Sequence, residues 1–323
     1  MNLADASALF YTCLLVSLPT FGWVVAGALL SRLGWLSQAL NDRISRLSFN
    51  YGLPLMLFAG AASVDYANAL SATYLLAGVL ATLLIVASSW FYAVWRGQPL
   101  AERGIFVQGA FRSNLAIMGL ALCISAYGEL GAQLGALAVA VMTSLYNVLA
   151  VLVLNHTLGG RSSLWNAFTD VLRNPLLIGI AAGAALSLSG LPVPAIVKPA
   201  SIWLSTFFLP LMLVCIGGAM KLSELRSAGP LAWESTAWRL LVAPVLTVLL
   251  AMAMGVRDEA LGILFLLVGT PAAASGYVMV VAARGNGVLA ANIVVLTTAF
   301  SAVSLTLGLF LLAALSLVGN PGG

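Results

Sequence analysis

The feature that most constrains this chain is the recurrence of apolar runs of about 20 residues, each long enough for a helix to cross a hydrocarbon core of about 30 Å. Five lie near Ala8 to Leu30, Ile44 to Ser63, Ser71 to Trp95, Gly104 to Tyr127 and Ala132 to Asn155. Five more lie near Asn174 to Ser189, Pro199 to Met220, Trp233 to Met254, Ala260 to Ala283 and Val288 to Val318. Only 7% of the residues are charged, against 62% hydrophobic, whereas a soluble domain carries about a quarter charged residues. In hydrocarbon the backbone must satisfy its own hydrogen bonds, so only helices or closed barrels span it. Continuous apolar runs, without the alternation of barrel strands, select helices. The expected fold class is an all-α integral membrane protein with ten transmembrane helices.

The basic residues sort the loops. One set carries Arg32, Arg43, Arg46, Arg96, Arg103, Arg161, Arg173, Lys221, Arg226 and Arg284, and the other only Lys198 and Arg257. Cytoplasmic loops collect Lys and Arg, which places both termini outside the cytoplasm of a multi-pass protein in the cell's inner (plasma) membrane. The net charge of +4 thus reflects topology; without basic runs, no nucleic-acid partner is expected. The first apolar run has no basic segment before it and is too long for a signal-peptide core, so it is expected to be retained. Cys13, Cys123 and Cys215 lie in apolar stretches without CxxC spacing and read as small buried hydrophobes, with no disulfide or zinc site. His156, at a span end, reads as a loop residue, and a lone histidine makes no metal site.

An internal repeat runs at one offset. Leu53-Pro54-Leu55-Met56-Leu57 returns unchanged as Leu209-Pro210-Leu211-Met212-Leu213, 156 positions later. The same shift carries Pro19 to Pro175, Gly27 to Gly183, Gly34 to Gly190 and Gly131 to Gly287. Each half holds five spans, and an odd number turns the second half over. This is a 5+5 inverted repeat, an architecture that lets a central site open to each side in turn.

Two helix-weakening segments sit at matching depths. In the fourth span Gln108-Gly109-Ala110-Phe111-Arg112-Ser113-Asn114 is polar at its centre; the shift carries Asn114 to Thr270, within Gly269-Thr270-Pro271-Ala272-Ala273-Ala274-Ser275-Gly276-Tyr277 of the ninth. Asn114 and Thr270 each lie roughly 15 Å into their spans, near the membrane midplane. Thr270 before Pro271 has the chemistry of a helix restart, an oxygen-bearing N-cap followed by a proline at the first helical position, and Asn114 caps its own span similarly. Because the spans run oppositely, both restarted halves would aim electropositive N-terminal ends at one central point, where a carboxylate fits. The plainer reading is that Pro271 only kinks its helix.

Arg112, roughly 12 Å along its span, is costly there unless it finds a partner or water. It either attracts an anionic substrate or snorkels to the headgroups. Arg239, only roughly 9 Å from Trp233, reads as snorkelling. Asn50, Tyr146, Asn147, Ser275, Tyr277, Asn292 and Thr297 are polar residues within spans, which line a cavity or bond between helices. Every Asp and Glu falls near a loop, so neither an enzyme nor a carboxylate proton relay is visible. A sodium site of carbonyls, Asn, Ser and Thr is compatible with broken helices.

At Asn50-Tyr51-Gly52-Leu53-Pro54, Phe111-Arg112-Ser113-Asn114, Tyr146-Asn147-Val148, Arg173-Asn174-Pro175-Leu176, Leu209-Pro210-Leu211 and Pro271-Ala272-Ala273-Ala274-Ser275 the chain resembles the auxin efflux carrier family, over essentially its whole length. That family includes plant auxin exporters and bacterial carriers of malate or malonate. The resemblance implies a fold like that of bile acid sodium symporters, with crossed broken helices 4 and 9. Scaffold helices would be residues 1–67 and 159–222, and transport-bundle helices 68–158 and 223–323. It also implies elevator-like movement and a homodimer. The short Asn155 to Asn174 connection resembles bacterial carriers, whereas Leu115 replaces the proline of the plant exporters' fourth-span break.

The resulting expectation is a secondary transporter of small mono- or dicarboxylates. Arg112, Ser113, Asn114, Asn147, Thr270, Pro271, Ala272, Ser275, Tyr277 and Asn50 would form the substrate site. Its partners would be the organic anion, the lipid bilayer and a coupling ion, H+ or Na+; no cofactor is expected. The alternatives are a sodium-coupled symporter of larger amphipathic anions, and a membrane sensor or channel.

Overall fold

The structure, a computed structural model, describes residues 3–62, 72–159, 172–189, 194–220 and 228–322, together with Trp165, Thr169 and Leu191. Arg161, Lys221, Arg226, Asp65, Asp170, Glu224 and Gly190, the side chain of Lys198, and the span ends Ser63 and Ser71 lie outside the described residues.

The first half holds α1 (Leu3–Arg32), α2 (Gln38–Leu47), α3 (Leu53–Ala62), α4 (Ala72–Trp95), α5 (Leu100–Phe111) and α6 (Leu120–Leu158). The second half holds α7 (Pro175–Leu188), α8 (Val197–Ala219), α9 (Pro230–Ala237), α10 (Ala243–Ala253), α11 (Asp258–Gly269), α12 (Ala274–Ala282) and α13 (Gly287–Ala314). Wide π-turns at Ser48–Gly52, Leu115–Gly119 and Trp238–Val242 lead into α3, α6 and α10. Among the described residues, six helical stretches are long and apolar enough to cross a membrane: Asp5–Arg32, Ala72–Trp95, Leu115–Leu158, Ile202–Ala219, Pro230–Ala253 and Gly287–Ala314. Pro175–Leu188 is apolar but shorter. The protein is therefore a multi-pass, all-helical membrane protein.

Local chemistry places the helix ends. Asn174 accepts from the Leu176 N–H at 2.9 Å with Pro175 in the first turn, and Asn286 accepts from the Leu289 N–H at 3.1 Å; both satisfy donors that a helix start leaves open. Leu115–Leu158 spans 44 residues, which at about 1.5 Å per residue would be twice the hydrocarbon thickness. It bends instead at Tyr127 and Gly128, where Gly128 has φ 54° and ψ −127°, a conformation that only glycine adopts without strain. Glycine also lets helices close up. A Cβ on Gly27 of α1 would lie 2.0 Å from the Val214 carbonyl oxygen of α8, and one on Gly183 of α7 would lie 2.2 Å from the Phe58 oxygen of α3. These two contacts are images of each other under the 156-residue shift. In lipid, where apolar burial does not drive helices together, such close backbone approach supplies the packing. The free thiols of Cys13, Cys123 and Cys215 are buried within it.

Candidate functional site

Two helices are interrupted in the interior. α5 ends at Phe111, Arg112 and Asn114 leave helical geometry (φ −84°, ψ 86° and φ −82°, ψ 67°), and the chain winds up again at Leu115. α11 ends at Gly269, Thr270 is extended (φ −63°, ψ 156°), and α12 begins at Ala274. An interrupted helix exposes polar backbone that hydrocarbon cannot solvate, and here the two gaps satisfy each other. The Asn114 N–H donates to the Pro271 carbonyl at 2.9 Å and the Ala273 N–H to the Arg112 carbonyl at 2.9 Å, flanking an antiparallel bridge between Ser113 and Ala272. The Ala272 N–H donates to Thr297 Oγ1 of α13 at 3.1 Å. The Ser113 hydroxyl lies 3.0 Å from that of Tyr146, whose ring also meets Phe111 edge-on at 5.5 Å.

Both restarted helices begin within two residues of this bridge, and the first N–H groups of a helix have no partner inside it. Arg112 stands beside them, 7% exposed, its Nη2 donating to Asn147 Oδ1 at 2.7 Å and to Ser275 Oγ at 3.2 Å, its Nε to Ser275 Oγ at 3.3 Å. Nη1 is buried with no hydrogen-bond partner among the described residues. Arg112 thus does not snorkel. It is a guanidinium held by two neutral oxygens, with one donor unspent, at the N-terminal end of α12.

The family profile described as membrane transport protein, that of the auxin efflux carriers, matches the chain twice, at residues 17–165 and 160–309. The chain belongs to the auxin efflux carrier family. It is a membrane transporter. No curated protein matches it significantly.

In this auxin efflux carrier relative the crossing gathers Arg112, Ser113, Asn114, Asn147, Thr270, Pro271, Ala272 and Ser275, while Tyr277 lies one helical turn away, 40% exposed. Asn50 is not among them. It sits exposed in the π-turn Ser48–Gly52, against α7 and α8. Thr270 has the opposite role to the one expected: its hydroxyl donates back to the Leu267 carbonyl at 2.8 Å, closing α11, while Ala273 holds the N-cap position of α12. The gap is several residues wide, so proline falls inside it rather than in the first turn after it. Asn114 holds the expected N-cap position but its side chain makes no cap hydrogen bond. His156 belongs to the last turn of α6, its ring 5.4 Å from Trp90.

Arg239 departs furthest from expectation. It is fully buried rather than snorkelling, and donates through Nη1 to the Ala110 carbonyl at 2.9 Å and through Nη2 to the Val268 carbonyl. Those oxygens belong to the last turns of α5 and α11, so one side chain ties together the C-terminal ends of both interrupted helices. Gln108 is a second residue not foreseen. Buried one turn before Arg112, it shares with it a cleft between α5, α12 and the start of α13 that also includes Gly276 and Tyr277. The i, i+4 spacing from Arg112 was the available signal. That cleft has about 20 Å³ of free volume, room for a water molecule. Beyond the crossing, a cavity of about 280 Å³ lies between α3, α6 and α8, lined by Met56, Leu57, Leu120, Gly128, Gln133 and Ser205 among others.

Proposed function

We propose that this carrier is a secondary transporter of small organic anions, mono- or dicarboxylates such as malonate or malate, of the bacterial type. The observation that carries the reading is Arg112, a buried guanidinium with an unpaired Nη1 beside two helix N-terminal ends. A carboxylate can accept from that donor and offset the cost of desolvating the cation, while the half-helix dipoles add attraction. Asn114, half-buried at the restart, Asn147 and Ser275 supply neutral polar contacts. One feature supports alternating access: the twofold family match, which suits a 5+5 repeat of ten spans. In this reading the paired helices move as an elevator against α1, α3, α7 and α8, in a homodimer in the inner membrane with both termini outside the cytoplasm. H+ or Na+ would supply the driving gradient.

Uptake of radiolabelled malonate and malate into proteoliposomes tests the reading. Saturable uptake by the wild type, lost in Arg112→Ala and reduced in Asn114→Ala, is expected. Unchanged uptake in both variants would remove the proposed site, and currents of single-channel size would replace a carrier with a channel.

A further inference from the structure

Arg239 poses a physical question that the anion site leaves unanswered. A fully buried arginine is costly unless paired, yet among the described residues no carboxylate pairs with it; its Nη atoms donate to the Ala110 and Val268 carbonyls, and its Nε is buried without a hydrogen-bond partner among the described residues. A helix C-terminus carries the equivalent of about half a negative charge, so two ends at one point sum to about one. One guanidinium balances that sum, and its planar fork reaches two oxygens at once. In transporters with interrupted helices, half-helix C-terminal ends and unwound carbonyls are the places that hold a coupling sodium ion.

We propose that Arg239 is a tethered cation occupying the position of a coupling metal ion, so that the crossing neither requires nor binds sodium. The two C-terminal ends are neutralised from within the protein, and the electropositive N-terminal ends dominate the field where the anion arrives. Arg239 is thus a positioning residue: it fixes the two C-terminal ends relative to each other without touching the substrate. Its charge is permanent, because a guanidinium does not release its proton at physiological pH. The inference rests on the geometry of the crossing and goes beyond the anion reading, since of the two driving ions named there it removes sodium from the crossing.

Thermal unfolding of the purified protein without any organic anion tests it, comparing NaCl with choline chloride and KCl at equal ionic strength. The wild type should show no sodium-specific change in Tm. Arg239→Ala should unfold at lower temperature and regain several °C with Na+ or with dilute guanidinium, each supplied at about 100 times its Kd. Arg239→Lys, which keeps the charge, should remain indifferent to both ions. A sodium-specific rise in the wild type would overturn the proposal, and so would an Arg239→Ala protein that matches the wild type or that responds to neither ion. If Arg239→Ala does not fold, the wild-type comparison and Arg239→Gln decide, the neutral variant being expected to gain the ion response. No anion enters this assay, so failure of the carboxylate reading would appear in uptake and leave this result untouched.

Discussion

Arg112 and Arg239 lie at the same crossing and do opposite work. Arg239 spends its donors on backbone carbonyls at two helix C-terminal ends, where negative partial charge already exists. Arg112 stands by a helix N-terminal end, where the partial charge is positive, held by the Asn147 and Ser275 side chains with Nη1 unpaired. Each keeps one buried nitrogen without a partner among the described residues, Nε in Arg239 and Nη1 in Arg112, but both terminal nitrogens of Arg239 are fixed on backbone, whereas Arg112 has a terminal nitrogen left for an arriving anion. A buried cation at a C-terminal end therefore reads as structure, and one at an N-terminal end as a binding group.

That contrast is open to direct attack. The largest effect on stability should come from Arg239→Met, which leaves two carbonyls without donors at about 1–3 kcal/mol each. A thermal melt in which Arg112→Met is the more damaging change would break the comparison. Arg112→Met should instead spare the fold and lower anion uptake, by about 2–5 kcal/mol in binding if the guanidinium meets the carboxylate directly. Arg112→Lys should not restore it, because an ammonium in the place of Nη2 can keep Asn147 and Ser275 but leaves no donor at the position of Nη1. Thr297→Val removes the acceptor for the Ala272 N–H and should cost about 1 kcal/mol, seen as a higher KM with little change in kcat. The smallest effect belongs to Arg96→Gln. Arg96 pairs with Glu234 at 2.7 Å, but their side chains are 48% and 24% exposed, so the melt should barely change, and less still at high salt.

Much of the site was legible in the chain itself. The offset of 156 residues located both interruptions, because it carries the weak helix former Asn114 onto Thr270, next to Pro271, at an equivalent depth. Depth also singled out Asn147. Arg239 was misjudged because distance along one helix measures depth in the lipid and says nothing about which neighbouring helices end beside it. Thr270 was misassigned because a hydroxyl before a proline suits either side of a gap, and only the gap's width decides. Asn50 was drawn in as a polar residue of the second span within a motif shared with the family, yet the π-turn carrying it leaves it exposed and packs against α7 and α8, which composition along one span does not reveal. The long α6 departs from helical geometry at Tyr127 and Gly128, between the two spans expected there.

The central claim is that two interrupted helices are paired inside the membrane at Ser113 and Ala272. The flanking bonds, from Asn114 to Pro271 and from Ala273 to Arg112, make this a narrow, non-hydrogen-bonded pair, with Cα atoms about 4.5 Å apart. That separation is within disulfide reach. In a protein with Cys13, Cys123 and Cys215 replaced by serine, and a protease site placed in the connection between residues 160 and 171, Ser113→Cys with Ala272→Cys should cross-link under mild oxidation. After cleavage the two halves should stay joined until reduced. Halves that separate without reductant, in protein that is folded by its melting curve, would contradict the account.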